Sequence, residues 1–313
     1  MSSPIEGDVG SPTASGRPAR VPTSARAVVW LARAVWLAIP LFGGQAVGEA
    51  LGDHSRAVQL TGTTAAWIGW AAGALALAIP AVSTLTLART TVPGSLVAAV
   101  IALVDRAEAE SGIALFVPAA VATVLVGSAE FGRVYIQASA YGDEARFGLR
   151  PPIGYAVASA VTWLLTAVAL LVTPVALAGK AWLAGAAGFV VAVAGVSLLP
   201  VRWHQLSRRW FVFVPAGVVV HDPVVLADTL MIPRRDVTSI SLQGEGAAAK
   251  GSADLTGPTP GLAVEVLLAK PVTAVLARTP KRPDGTAIDL TAFVISPTRP
   301  GAVIRAARRR GYP

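Results

Sequence analysis

The hydrophobic rhythm of this chain changes once. Up to about residue 201, apolar residues run in long stretches almost without charge. From Trp210 onward they alternate with polar residues between Gly and Pro turns. The border is Arg202-Trp203-His204-Gln205-Leu206-Ser207-Arg208-Arg209-Trp210. Three arginines and two tryptophans are what a membrane–water interface selects, because cations meet headgroups and indoles sit half in hydrocarbon. The pattern therefore predicts an α-helical transmembrane bundle over 27–203 and a water-facing β domain over 208–313.

A bilayer crossing needs about 20 apolar residues, and the first part predicts about six. The first is Ala27 to Val47, interrupted by Arg33. The second lies within Ala57–Ala88 and is centred on Ala65–Ser83. Thr91–Val104 and Ile113–Gly127 are short enough to be read either as crossings or as a re-entrant hairpin. Ile153–Val175 and Ala181–Val201 complete the set. Residues 1–26 are rich in Ser, Pro, Gly and Thr, with no apolar period, and predict a disordered tail. Their arginines precede an apolar run that reads as an uncleaved anchor.

In the second part, Trp210–Val214 and Gly217–His221 flank Pro215-Ala216-Gly217, a hairpin signal. Leu226–Ile232 and Val237–Leu242 follow. Residues 244–261 are Gly, Ala, Ser, Thr and Pro-rich and predict a mobile loop. Leu262–Ala269 and Val272–Arg278 predict a hairpin turning at Lys270-Pro271. Ala287–Ile295 is a last strand, and Pro297 to Arg310 a terminal helix with Val303, Ile304 and Ala307 on one face. Between the fourth and fifth spans, Phe131, Val134, Tyr135 and Ala138 recur at helical spacing. They predict that the fourth helix continues as an amphipathic extension.

Charge sets the orientation. Only 14% of the 313 residues are charged and mean hydropathy is +0.61, against about 25% charged in soluble domains. Residues 1–201 hold 11 Lys+Arg and 10 Asp+Glu, whereas 202–313 hold 15 and 8. With the N-terminus inside, ten arginines fall on inner segments, Arg89 among them, and only Arg56, Arg106 and Lys180 outside. The positive-inside rule then places both termini in the cytoplasm of a bacterial cell membrane. Net charge beyond the border is +7, which suits anionic lipid headgroups better than nucleic acid.

Phe213-Val214-Pro215-Ala216-Gly217-Val218-Val219-Val220 and Ile232-Pro233-Arg234-Arg235-Asp236-Val237 resemble bacterial pleckstrin-homology-like domains. The resemblance covers about residues 208–311 and implies a small open barrel plugged by a C-terminal helix. Its Pro215-Ala216-Gly217 turn lacks the basic residues of inositide-binding members, so it does not imply inositide recognition. Ser139-Ala140-Tyr141-Gly142-Asp143-Glu144, Leu149-Arg150-Pro151-Pro152, Leu206-Ser207-Arg208-Arg209-Trp210 and Ser296-Pro297-Thr298-Arg299-Pro300-Gly301 resemble a family of uncharacterised actinobacterial multi-pass membrane proteins. That resemblance implies architecture and no activity.

Chemistry is sparse. There is no cysteine, hence no disulfide framework or thiolate. His54, His204 and His221 are too scattered for a histidine metal cluster. No phosphate loop, zinc-ligand pair or serine elbow occurs, so no catalytic, cofactor or metal site is expected. His221-Asp222-Pro223 reads as a strand-end turn. The Gly44–Gly48 and Gly69–Gly73 pairs match close helix packing. Glu130, Arg133, Asp143, Glu144, Arg146 and Arg150 share one inner loop and are read as an ion-pair network docking the β domain. With Arg202, Arg208, Arg209, Arg234 and Arg235, they are the interaction candidates. A membrane-anchored interaction or regulatory protein, binding a protein partner or anionic lipid, fits best. A transporter or channel and an envelope-lipid enzyme are the alternatives.

Overall fold

The computed structural model describes residues 21–105, 107–244, 251–278 and 285–313. The tail over 1–20 lies outside the described residues. Its predicted last residues do not: α1 already begins at Thr23.

Five helices are long and apolar enough to cross a membrane: α1 (Thr23–Gly52), α2 (Arg56–Ala78), α3 (Val82–Asp105), α4 (Ala109–Gly127) and α6 (Ile153–Ala178). A sixth span forms if α7 (Trp182–Leu198) and α8 (Pro200–Ser207), which meet at a 43° bend, count as one. The bend falls where Pro200, at the first position of α8, has no N–H to continue the ladder. Side chains such as Leu41 and Leu183, the latter 87% exposed, face outward, which is tolerable only where the surroundings are hydrocarbon.

The second span needs correction. The uncharged run 57–88 is not one helix, because Pro80 drives Ile79 into an extended conformation (φ −112°, ψ 108°) and ends α2 at Ala78. Arg89 is consequently not in a loop. It lies within α3, where its Nε donates to the Val126 carbonyl at 3.2 Å. The third span thereby gains length, to 24 residues, and the fourth has 19, so each is long enough to cross.

Arg33, which interrupts the first span, is held by the end of α2. It donates to the carbonyls of Leu77 (2.8 Å) and Ala78 (3.0 Å), and the Tyr135 hydroxyl donates to Ala76 and Leu77. The final carbonyls of α2 have no partners within their own helix, and a cation suits that end of the helix dipole. Tyr135 lies on α5 (Ala129–Ala138), which is a separate helix and not an extension of α4. Ser128 is extended, and its Oγ accepts from the Phe131 N–H to start α5 afresh.

The β region has two four-stranded sheets and no closed barrel. The first is β1 (Ala145–Gly148), β2 (Trp210–Val214), β3 (Gly217–His221) and β4 (Leu230–Pro233), antiparallel in that order. The second, in the order β5-β7-β8-β6, comprises β5 (Val237–Gln243), β7 (Ala263–Leu276), β8 (Thr286–Ile295) and the short β6 (Ala253–Asp254). The expected hairpin at Lys270-Pro271 is absent. β7 runs straight through, and its pairing with β8 is interrupted between Leu267 and Val272. A proline has no N–H for the ladder, and this irregularity accommodates it. Leu226 precedes β4 and bridges to Leu276 instead of opening a strand. Of the expected mobile loop 244–261, residues 245–250 lie outside the described residues. The remainder includes β6, and Leu255 is buried in the core.

α9 (Pro300–Arg309) packs Ala302, Val303, Ile304, Ala306 and Ala307 into the core shared by both sheets. It ends at Gly311, whose φ of +68° suits glycine.

Strand β1 is the feature that ties the halves together. It comes from the loop between the fourth and fifth spans, yet pairs with β2, which follows the last helix of the bundle: Ala145 lies opposite Phe213 and Gly148 opposite Trp210. The chain leaves the sheet at Leu149, runs through α6, α7 and α8, and returns. A hydrogen-bonded sheet edge cannot straddle a bilayer, so these helices make an out-and-back pair.

Candidate functional site

The pocket where the loop meets α9 has a volume near 210 Å³ and a lining that mixes charged with apolar side chains. Arg133 and Gln137 reach it from α5, Asp143 from the approach to β1, Arg146 from β1 itself, and Arg309 and Arg310 from the end of α9. Val21, two residues before α1, also lines it. The pocket therefore lies beside the N-terminal end of α1.

Its acids are engaged. Asp143 accepts from Arg310 at 2.8 Å and Glu144 from Arg146 at 2.7 and 2.9 Å. Glu130, beside the pocket, pairs with Arg299 on the approach to α9. Hydrogen bonding by Arg299 lowers the Glu130 pKa. Among the described residues, Arg133 and Arg309 have no carboxylate within ion-pair distance. The Arg133 guanidinium lies over the Phe147 ring at 5.6 Å. Burial, then the positive charges of Arg309 and Arg305, hold its pKa below the ordinary arginine value. Half-buried Arg133 and exposed Arg309 thus line one pocket with Asp143, whose carboxylate is held by Arg310, while the Glu130 charge partly offsets that of Arg133.

The other interaction candidates lie elsewhere. Arg150 donates through Nη2 to the Leu262 carbonyl, and its own carbonyl accepts from Arg209 at 2.6 Å. Arg209 is buried against Asp222 in a two-point ion pair of 2.6 and 2.8 Å, each side chain 1% exposed. Asp222 also accepts from the N–H groups of Val224 and Val225, so the expected turn forms around a buried charge. Arg202 and Arg208 are exposed, and Arg208 approaches His221 Nε2 at 3.5 Å. Arg234 covers Tyr312 and donates to the Gly311 carbonyl. Arg235 projects outward, 81% exposed. The structure thus brings Arg133, Asp143 and Arg146 together. It adds Arg309 and Arg310, which the sequence reading passed over although the basic run Arg308-Arg309-Arg310 was in view.

His221 stacks on Trp210 at 5.0 Å, and its Nδ1 lies 2.9 Å from Thr229 Oγ1. Burial first, then the neighbouring Arg208, lowers its pKa below the usual histidine value. The folded state therefore binds fewer protons than the unfolded state just below about pH 6.5. Stability contributed by neutral His221 is present above that pH and is lost as pH falls toward the depressed folded value. A thermal melt repeated between pH 7.5 and 5.5 is expected to show this loss, and His221→Phe to flatten it. An equally steep profile in the variant refutes the assignment.

A second hollow, near 720 Å³, opens among α1, α2, α3 and α6. No ionisable side chain lines it among the described residues, and the hydroxyls of Thr90, Thr91, Ser95 and Thr166 donate to carbonyls of their own helices. Apolar hollows exclude water. The two glycine pairs divide here. A Cβ on Gly73 would meet the Trp36 ring at 2.3 Å, which is close packing, whereas Gly44, Gly48 and Gly69 face open space.

Compared with known proteins, the chain matches no family model, no curated protein and no solved structure.

Proposed function

We propose that this chain is a membrane-anchored interaction module whose β domain faces the cytoplasm and binds anionic lipid headgroups in the arginine pocket. The observation that carries this reading is the basic excess of the pocket, where Arg133, Arg146, Arg309 and Arg310 face Asp143 beside the N-terminal end of α1, and neither Arg133 nor Arg309 has a carboxylate within ion-pair distance among the described residues. The inner leaflet of a bacterial membrane offers phosphate oxygens at that level, and arginine binds them at two points. The four-stranded first sheet, the second sheet and the terminal helix support a pleckstrin-homology-like architecture. In this reading the first strand is separated from the second by a helical membrane hairpin. The basic distribution supports cytoplasmic termini, and the bundle serves as the anchor.

The test is reconstitution into nanodiscs of phosphatidylcholine with increasing phosphatidylglycerol, followed by the rate of proteolysis within the β domain. Phosphatidylglycerol is expected to protect the wild type, and R133E/R309E to abolish that protection. Protection that is absent, or unchanged by the charge reversal, refutes headgroup binding. Protection by an acidic peptide, with no response to the anionic lipid, transfers the site to a protein partner.

A further inference from the structure

We infer that the lateral hollow of the bundle is a binding site for a single phospholipid acyl chain, distinct from the arginine pocket and independent of it. Its wall is built from small residues that leave room. Gly44 on α1, Gly69 on α2 and Gly94 on α3 all line it, and a Cβ on any of the three would touch nothing within 4 Å. It is open sideways, since Trp67, Ile68, Leu170 and Val196 line it and are also exposed. A molecule enters such a site from the hydrocarbon and not from water.

The dimensions suit one chain. On α1 the lining extends from Trp36 to Gly48, which is about 18 Å at a rise of ~1.5 Å per residue. One leaflet of hydrocarbon is about 15 Å deep, half of a ~30 Å core. The polar end is also provided for. Trp203, on α8 beside the β domain, lines the hollow, and its indole N–H is buried with no hydrogen-bond partner among the described residues. The indoles of Trp36, Trp70 and Trp163, which line the same hollow, donate to backbone carbonyls at 2.9–3.1 Å. A buried donor without an acceptor is unfavourable, so a shift of the Trp203 ring that opens its N–H to the hollow is favoured once an acceptor such as the ester carbonyl of a glycerolipid is there. A coupled ion path usually carries ionisable groups; among the described residues the lining has none, and its hydroxyls at Thr90, Thr91, Ser95 and Thr166 are bonded within their own helices.

The probe is dioleoylphosphatidylcholine, whose neutral headgroup separates this site from the arginine pocket. After detergent exchange, native mass spectrometry of the full chain is expected to find one lipid retained per chain. Gly69→Leu with Gly94→Leu fills the hollow and is expected to lose that lipid. Gly154→Leu, at an exposed position away from the hollow, is expected to keep it. Trp203→Phe leaves the space and removes the donor, and a three- to tenfold weaker retention is expected, on the order of one hydrogen bond. If the double leucine variant does not fold, Gly69→Ala with Gly94→Ala is read in the same way. A wild type that sheds all lipid, or a filled variant that retains it as the wild type does, overturns the inference.

Discussion

Arg209→Met is expected to cost the β domain about 3–5 kcal/mol, the usual effect of removing one partner of a buried ion pair. The reason is what stays behind. Asp222 remains 1% exposed and keeps its two backbone N–H donors, but it loses both guanidinium contacts. The Arg150 carbonyl also loses its donor, at the point where β1 turns into the membrane hairpin. The measurement is a thermal melt of the purified protein in detergent, read alongside protease sensitivity of residues beyond 208. Arg209→Met with Asp222→Leu removes both charges and is expected to recover most of the loss. A single variant within about 1 kcal/mol of the wild type, the level of an ordinary substitution, would sink this account of the junction.

A smaller side chain produces the second large effect. Gly217→Ala adds one methyl group, yet the added Cβ would lie 2.0 Å from the Ile232 carbonyl oxygen and 3.0 Å from the Arg234 nitrogen. Both are backbone atoms of the neighbouring strand and its turn, so no rotamer change relieves the overlap. The β3–β4 pairing, in which Gly217 lies opposite Pro233, has to open. A loss of about 3 kcal/mol is expected, the upper end of the usual overpacking penalty. Gly244→Ala, where a Cβ meets nothing within 4 Å, is the matched control and is expected to stay within about 0.5 kcal/mol. Equal melting temperatures for the two variants would contradict the clash.

The candidate site was only partly legible from residue order. The inner loop announced its charges, and Arg133, Asp143 and Arg146 do line one pocket. The partners that complete it, Arg309 and Arg310, are more than 150 residues away, and nothing in local spacing links a loop between helices to the last turn of the chain. The span boundary at Pro80 was present in the sequence as a single proline, and the continuous apolar run around it outweighed that signal. Lys270-Pro271 misled in the opposite direction. A proline that usually marks a turn is accommodated by an irregularity between long strands, because cross-strand packing on either side outweighs the local preference.

What residue order alone determined is the choice of solvent along the chain. Long uncharged runs cannot be stable in water, alternating ones cannot be stable in hydrocarbon, and the Arg/Trp border separates them at residues 202–210. Tertiary structure decided which distant segments share a surface. β1 belongs to the β domain although it lies between two spans, Asp222 belongs to Arg209, and the glycines of α1 and α2 divide between packing and lining a hollow. Solvent preference is a property of each residue and sums along the sequence. Pairing is a property of two, and it exists only once folding has brought them together.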